Sequence, residues 1–422
     1  MENQYEIKYS DVLSQIKDQE NNLLVANGFN YGLGVKTGYS TIFDKMVDNN
    51  NIYKEALPLF NQCNSDIEYF IGELINQVDS DNSFLKKHIA NNVKFDFMKA
   101  THEIVKSNIK NVYAKKNEGV FMLLRNFNNY FTLNYDSLLY LFLLKYSNID
   151  DTKNNALVFF PTIEFIGDDL DVRQNNIYTE IKTARESGKI KISIDNTEIE
   201  DNMSNLSKTH FSKEIVKYSK AYNKKWKAKD IDRVINKILK EEQIQRFNNQ
   251  INDGSRQLSM FDNTEFVFEN PETQNLFFLH GAFHIYKEGK FHKKITQKTD
   301  KALYDRLEDI LNNDEKEIVC VFQRDNKIEA IENDEYLNNC LNKLKQLSGN
   351  MVIIGSSLDE NDNHIYSNIN ASNIETIYIS ATPQELNDKY LIAQNLFPEK
   401  NIYMFSTDTI SYEMPENIES NK

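Results

Sequence analysis

Asn22-Leu23-Leu24-Val25-Ala26-Asn27-Gly28-Phe29-Asn30-Tyr31-Gly32-Leu33-Gly34 is the stretch on which the fold turns. Its apolar start is too short for a helix and is ended by the turn signal Asn27-Gly28, so Asn22–Ala26 reads as a buried strand. Glycines behind a first strand let backbone N–H groups approach a pyrophosphate. Gly28, Gly32 and Gly34 do not have the spacing Gly-x-Gly-x-x-Gly, and no Gly-Lys-Ser/Thr follows. For this segment alone, a turn with no ligand stays open as the alternative.

Working outward, short apolar runs bounded by turn residues recur at Tyr130–Asn134, Leu157–Phe160, Asn275–Leu279, Ile318–Phe322, Met351–Ile354, Thr376–Ile379 and Ile402–Phe405. Helical patterns lie between many of them. Ser65-Asp66-Ile67-Glu68 has the form of a capping box and opens a stripe of Ile67, Phe70, Ile71, Leu74, Ile75 and Val78. Further helices are expected over 84–126, 138–144 and 334–346. Strands alternating with helices predict an α/β class, a doubly wound and mostly parallel Rossmann-like sheet with helical insertions. The expected division is a core in two parts, 1–167 (with a helical insertion at 53–126) and 266–412, interrupted by a basic helical insertion at 168–265 and followed by a tail at 413–422.

The chain has 422 residues, 40% of them hydrophobic, which suits a packed globular protein. A net charge of −14 disfavours nucleic acid and anionic membranes as general partners. The exception is 208–246, where twelve Lys/Arg stand against five Asp/Glu and the only tryptophan, Trp226, lies among lysines. A solvated helical face is the favoured reading there, and a docking surface for nucleic acid or a partner is the alternative. Cys63, Cys320 and Cys340 are scattered, too few for a Cys₄ zinc ribbon, and read as reduced thiols. With no apolar run of spanning length and no secretory signal, a cytoplasmic location without membrane insertion is expected.

Three more segments each follow a predicted strand, where a doubly wound sheet places its ligands. In Thr132-Leu133-Asn134-Tyr135-Asp136, Asn134 could hold a carboxamide or a water and Asp136 could accept from an N–H₂; an Asx turn with Asp136 capping the next helix is the alternative. In Leu279-His280-Gly281-Ala282-Phe283-His284, His280 is a candidate general base and Gly281 turns the chain away beneath it. A metal pair of His280 and His284 is disfavoured, since both would have to share a helical face, so no metal ligand is expected. In Ile354-Gly355-Ser356-Ser357-Leu358-Asp359-Glu360-Asn361-Asp362, two hydroxyls after a glycine suit ribose or phosphate oxygens, or else cap a helix.

A glycine turn, Thr-x-Asn-x-Asp, Leu-x-His-Gly and Gly-Ser-Ser-Leu, in that order, resemble the sirtuin superfamily, and in particular its zinc-free bacterial NAD-hydrolysing branch. The match runs over about 20–165 and 270–410. It implies a sirtuin-like Rossmann core that cleaves the nicotinamide–ribose bond of NAD without zinc. By the same resemblance, Asn134 positions the nicotinamide ribose and the attacking water, and His280 takes a proton from either. Asp136 holds the carboxamide. The implied cofactor contacts are Asn27, Gly28, Phe29, Asn30, Thr132, Tyr135, Asp136, Gly355, Ser356, Ser357 and Asp362. The first loop departs from the Gly-Ala-Gly-x-Ser of deacetylases, which leaves acyl-lysine recognition without support. The implied setting is an anti-phage defence effector, restrained by homo-oligomerisation, a partner ATPase or a phage-derived trigger. ADP-ribosyl transfer or protein deacylation, and a non-catalytic nucleotide-sensing subunit, stay as alternatives.

Overall fold

Every residue of the strand Asn21–Val25 is buried, and Leu23, Leu24 and Val25 are fully shielded from solvent. A strand covered on both faces needs no polar alternation, which is why Leu23-Leu24-Val25 is an unbroken apolar run. The structure, a computed structural model, describes residues 5–78, 82–147, 164–166, 169–171, 189–194, 197–202, 251–257, 266–295, 303–313, 315–321 and 327–412.

In chain order these begin with β1 (Glu6–Ile7), α1 (Tyr9–Gln15), β2 (Asn21–Val25), α2 (Asn27–Gly32), α3 (Tyr39–Asn49), α4 (Ile52–Gln62), α5 (Ile67–Asn76), α6 (Ser83–Leu124), β3 (Asn129–Thr132) and α7 (Leu138–Ser147). After four short strands, β4 (Glu164–Ile166), β5 (Asp169–Asp171), β6 (Lys189–Ile194) and β7 (Thr197–Asn202), come β8 (Ser255–Gln257), β9 (Phe266–Phe268), β10 (Leu276–Phe278), β11 (Gly281–Glu288) and β12 (Phe291–Lys294). The last part holds α8 (Leu303–Leu311), β13 (Lys316–Cys320), α9 (Lys327–Glu332), α10 (Glu335–Leu344), β14 (Ser348–Ile354), α11 (Asn363–Asn370), β15 (Asn373–Ala381), α12 (Leu386–Leu396) and β16 (Asn401–Ser406).

Seven strands form a parallel sheet in the order β1-β16-β15-β14-β2-β3-β10, flanked by helices, which is the expected α/β, Rossmann-like class. Leu23 stands opposite both Val352 of β14 and Tyr130 of β3, in the interior of the sheet. Ile318–Phe322 was expected in this sheet and does not join it. Its described part, β13, lies in a second, antiparallel sheet of order β13-β11-β12-β9-β8. The chain passes from one sheet to the other through Leu279-His280-Gly281. Gly281 has φ +81°, and a Cβ there would collide with the Val319 carbonyl oxygen, so only glycine allows the crossing.

Helices α4 to α6 occupy the expected 53–126 insertion, and α3 precedes it. Phe43 and Phe60 stack at 3.8 Å, with Phe70 set edge-on to both. The capping box at Ser65 is corrected: Asp66 is the N-cap of α5, accepting from the N–H groups of Glu68 (2.8 Å) and Tyr69 (3.2 Å). Asn64 and Ser65 are spent on the reversal after α4, at φ +54° and +57°.

The chain divides into Met1–Phe142 with Ile251–Met414, and Leu143–Gln250 with Pro415–Lys422. The core therefore resumes earlier than position 266, because β8 pairs with β9. Besides the end of α7, the described residues of the second unit form two antiparallel hairpins, β4–β5 and β6–β7, and β5 to β7 fall in 168–265, where helices were expected. In β6, Ile190, Ile192 and Ile194 recur with a period of two, the strand signal. The expected strand Leu157–Phe160, the basic segment 208–246 with Trp226, and the tail 413–422 lie outside the described residues. No helix among the described residues is long and apolar enough to cross a membrane.

Candidate functional site

From β2 the chain winds one way through β3 and β10 and the other way through β14, β15 and β16. The crevice beyond the strand ends at such a reversal is where open α/β sheets take ligands. The two loops that leave β2 and β14 are in contact there. Gly28 N–H donates to the Gly355 carbonyl at 2.9 Å, and a Cβ on either glycine would run into the backbone of the other. Gly355 also has φ +78°.

A cavity of about 840 Å³ opens at this point. That is ample for a dinucleotide-sized ligand, since cofactor pockets run to about 1,000 Å³. Asn27, Gly28, Asn134, Tyr135, Asp136, His280, Gly355, Ser356, Ser357 and Asp362 all line it. Segments 330 residues apart are thus brought together. Phe29, Asn30 and Thr132 stand behind the lining. Phe29 is wholly buried against Tyr412, with ring centroids 6.1 Å apart.

Asn30 and Thr132 explain how Asn134 and Asp136 are held. Asn134 N–H donates to Thr132 Oγ1 at 3.0 Å, and its side-chain amide donates to Asn30 Oδ1 at 3.3 Å. Among the described residues nothing donates to Asn134 Oδ1, which leaves that oxygen for a ligand. Asn30 Nδ2 donates to Asp136 Oδ2 at 2.7 Å and to Thr37 Oγ1 at 2.8 Å. The other Asp136 oxygen accepts from Leu138 N–H at 2.8 Å, an Asx turn at the entry to α7 whose N-cap position is Ser137. Burial raises the Asp136 pKa while these hydrogen bonds oppose the rise.

His280 is pinned through its backbone. Leu279 N–H donates to the Thr132 carbonyl (3.0 Å), and the His280 carbonyl accepts from Val321 N–H (3.0 Å), tying β10, β3 and the end of β13 together. Its Nε2 lies 3.3 Å from His364 Nε2 and 3.5 Å from Asp362 Oδ1. Burial first, then the Lys327 ammonium and His364, push the His280 pKa well below its ordinary value, so the ring is neutral at pH 7. His364 is likewise pushed down to about 4, chiefly by burial. Asp362 is raised by burial, against the pull of Lys327. His284 has no part in this cluster. It stacks on Tyr140 at 5.0 Å, and both its ring nitrogens are buried without a hydrogen-bond partner among the described residues.

Three residues of the site carried too little signal in sequence. His364 follows Asp362 by two positions but sits on a different element, α11. Lys327, only 6% exposed, reaches Asp362 at 3.2 Å and Glu68 at 3.6 Å from a helix with no motif of its own. Glu68 read as a capping carboxylate. It is instead buried, accepting from Tyr39 (3.0 Å) and Tyr135 (2.7 Å) hydroxyls. Tyr39, Phe97, Tyr135 and Phe283 give the cavity an aromatic wall beside His280.

Beyond the ends of β14, β15 and β16 the lining is polar, with Ser357, Ser380, Thr382, Lys389 and Asp408. Ser356 contributes backbone only: its hydroxyl bonds to Tyr366 (2.7 Å) and accepts from Leu358 N–H (3.0 Å). Its carbonyl holds Lys389 Nζ at 2.9 Å, which leaves Ser357 as the exposed hydroxyl of the pair.

A family described as a domain of unknown function (DUF4917) matches residues 210–396, a span that includes His280, Lys327, Asp362 and His364 and stops short of Asn134 on its N-terminal side. The curated proteins give no match.

Proposed function

We propose that this chain is an NAD glycohydrolase built on a sirtuin-like Rossmann core, splitting NAD and water into nicotinamide and ADP-ribose. The observation that carries the reading is the convergence of Asn134 and neutral His280 on one cavity at the switch point of the sheet. In this reading the pyrophosphate lies against the Gly28 and Gly355 loops, and the adenosine end extends towards Ser357 and Thr382. The nicotinamide ring lies on the aromatic wall of Tyr39, Phe97 and Phe283.

Cleavage breaks the bond between C1′ and the nicotinamide nitrogen. The bond's electrons leave with the ring as neutral nicotinamide, and positive charge builds on C1′ and the ribose ring oxygen. The open Oδ1 of Asn134 accepts from the attacking water or a ribose hydroxyl, which places the nucleophile. His280 Nε2 takes the proton released as water adds, and Asp362, 3.5 Å away, stabilises the imidazolium. Glu68 and Asp362, two carboxylates against the one ammonium of Lys327, give this end of the cavity a net negative field that favours the cationic transition state.

The anti-phage role, the oligomer and the ATPase or phage-derived trigger belong to the same proposal and rest on the sirtuin-like order of motifs. Incubating the purified full chain with NAD and separating nicotinamide from ADP-ribose tests the activity. No nicotinamide release, with or without lysate from phage-infected cells, would overturn it.

A further inference from the structure

We infer that His280, Asp362 and His364 form a binding site for one first-row divalent metal ion, zinc foremost, at the edge of the cavity. The three donor atoms lie within 4.8 Å of one another. Two separations are set by the structure: Nε2 to Nε2 at 3.3 Å, and His280 Nε2 to Asp362 Oδ1 at 3.5 Å. Zinc bonds of about 2.0–2.1 Å at a tetrahedral angle put neighbouring ligand atoms about 3.3–3.4 Å apart, so little movement is needed to accept the ion.

The ring orientations argue the same way. The two buried rings turn their Nε2 atoms to each other at 3.3 Å, a contact that needs either a proton or a cation between the nitrogens. A metal ion held by both nitrogens meets that need without charging either ring.

Lys327 is the competitor, since its ammonium also draws on Asp362 Oδ1 at 3.2 Å. It has a second acceptor in Glu68, 3.6 Å away, and can stay paired while Asp362 turns to the ion. The two carboxylates exceed the one ammonium by a single negative charge, which a divalent cation offsets. Two imidazoles and one carboxylate suit zinc, cobalt or iron(II) better than magnesium or calcium, which prefer oxygen alone. His280 and Asp362 both line the cavity, so the fourth coordination position opens to it. The metal takes the lone pair with which His280 would act as a base, so the metal-loaded and base-competent forms exclude each other.

The test is metal binding, independent of NAD cleavage. The full chain, stripped with a chelator, is titrated with zinc chloride against a chromogenic zinc indicator. One zinc per chain is expected. His364→Ala and Asp362→Asn should each weaken binding at least tenfold, while His292→Ala, remote from the cluster, should not. Melting curves of each variant show whether it is folded. Zinc-edge X-ray absorption on the loaded wild-type chain supplies a readout without mutation, with two imidazole ligands expected. Absence of stoichiometric zinc, equal affinity in His364→Ala and Asp362→Asn, or fewer than two imidazoles would overturn the site. A chain that binds zinc but never releases nicotinamide refutes the glycohydrolase reading and leaves the metal site standing.

Discussion

His280 and His364 meet through their Nε2 atoms at 3.3 Å across 84 residues of sequence. The contact joins the crossover between the two sheets to the first turn of the helix after β14. Neither ring reaches solvent freely, at 3% and 7% exposure. A buried imidazole pair beside a carboxylate and an ammonium is costly to keep, since each ring must shed its hydration and stay neutral. The place of His280 on the wall of the cavity at the sheet's switch point is the strongest physical sign that this region is chemical and not merely structural.

The proposed chemistry makes a sharp demand on two side chains. Asn134→Ala removes the open Oδ1, and His280→Ala removes the base. Each should lower nicotinamide release by about 10²–10⁴-fold, the usual weight of a positioned acid–base group. Melting temperatures should stay close to that of the unmodified chain for Asn134→Ala, whose side chain is only half-buried. Rates unchanged in both variants would remove them from the mechanism.

The contact between Gly28 and Gly355 predicts a different failure. Gly28→Ala pushes a methyl group into the Gly355 backbone, so one of the two loops has to shift. Overpacking of this kind costs about 1–3 kcal/mol. The loops should separate, so NAD binding measured by calorimetry should weaken more than the melting temperature falls. Gly72→Ala is the control, because a Cβ there meets nothing within 4 Å. Equal effects at the two positions would mean the switch-point loops do not hold the ligand.

Much of this architecture was legible because it rests on short-range pattern. Leu23-Leu24-Val25 and Met351-Val352-Ile353-Ile354 have to be buried strands, and the glycines after them have to be turns. The loops at the strand ends were therefore found, and with them Asn134, His280 and Asp362. What could not be read was long-range. Whether Ile318–Cys320 joins the parallel or the antiparallel sheet is decided by the left-handed turn at Gly281, which sequence alone leaves open. Lys327 and Glu68 look like ordinary helix-surface charges until α5 and α9 bring them within 3.6 Å of each other. A metal pair of His280 and His284 is disfavoured in sequence, because four-residue spacing means proximity only on a helix. On the strand β11 it puts the two rings in different surroundings.

Helix α5 offers a test of the cap that replaced the expected one. Asp66 carries the hydrogen bonds to Glu68 and Tyr69, so Asp66→Ala should cost about 1 kcal/mol. Ser65 makes no cap bond and occupies the left-handed region, so Ser65→Ala should change stability by less than about 0.5 kcal/mol. Urea unfolding of both variants checks the order. A larger loss at Ser65 would restore the capping box.

His284 links burial to pH most directly. Its ring lies against Tyr140 at 5.0 Å and edge-on to Phe278 at 4.8 Å, and among the described residues neither nitrogen has a hydrogen-bond partner. Burial, the largest cause, pushes its pKa down to about 4, with Asp253 pulling it up and Lys294 pulling it down. In the unfolded chain the same group titrates near its ordinary value of 6.5. Above that value it is neutral in both states and contributes nothing to pH dependence. As pH falls from 6.5 towards 4, the unfolded chain binds a proton that the folded chain refuses, so stability falls. At pH 5 the deficit amounts to about 2 kcal/mol. His284→Phe keeps the ring stack, removes two unsatisfied nitrogens and cannot be protonated. The variant should match or exceed the unmodified chain in stability at pH 7.5 and gain a further margin of about 2 kcal/mol by pH 5. Asp136 and Asp362, whose carboxyls are raised, add their own pH dependence near the carboxylate range, but equally in both chains. Denaturant unfolding at the two pH values measures the difference directly. A gap that stays constant between them would mean that His284 finds a proton or a partner in the folded chain.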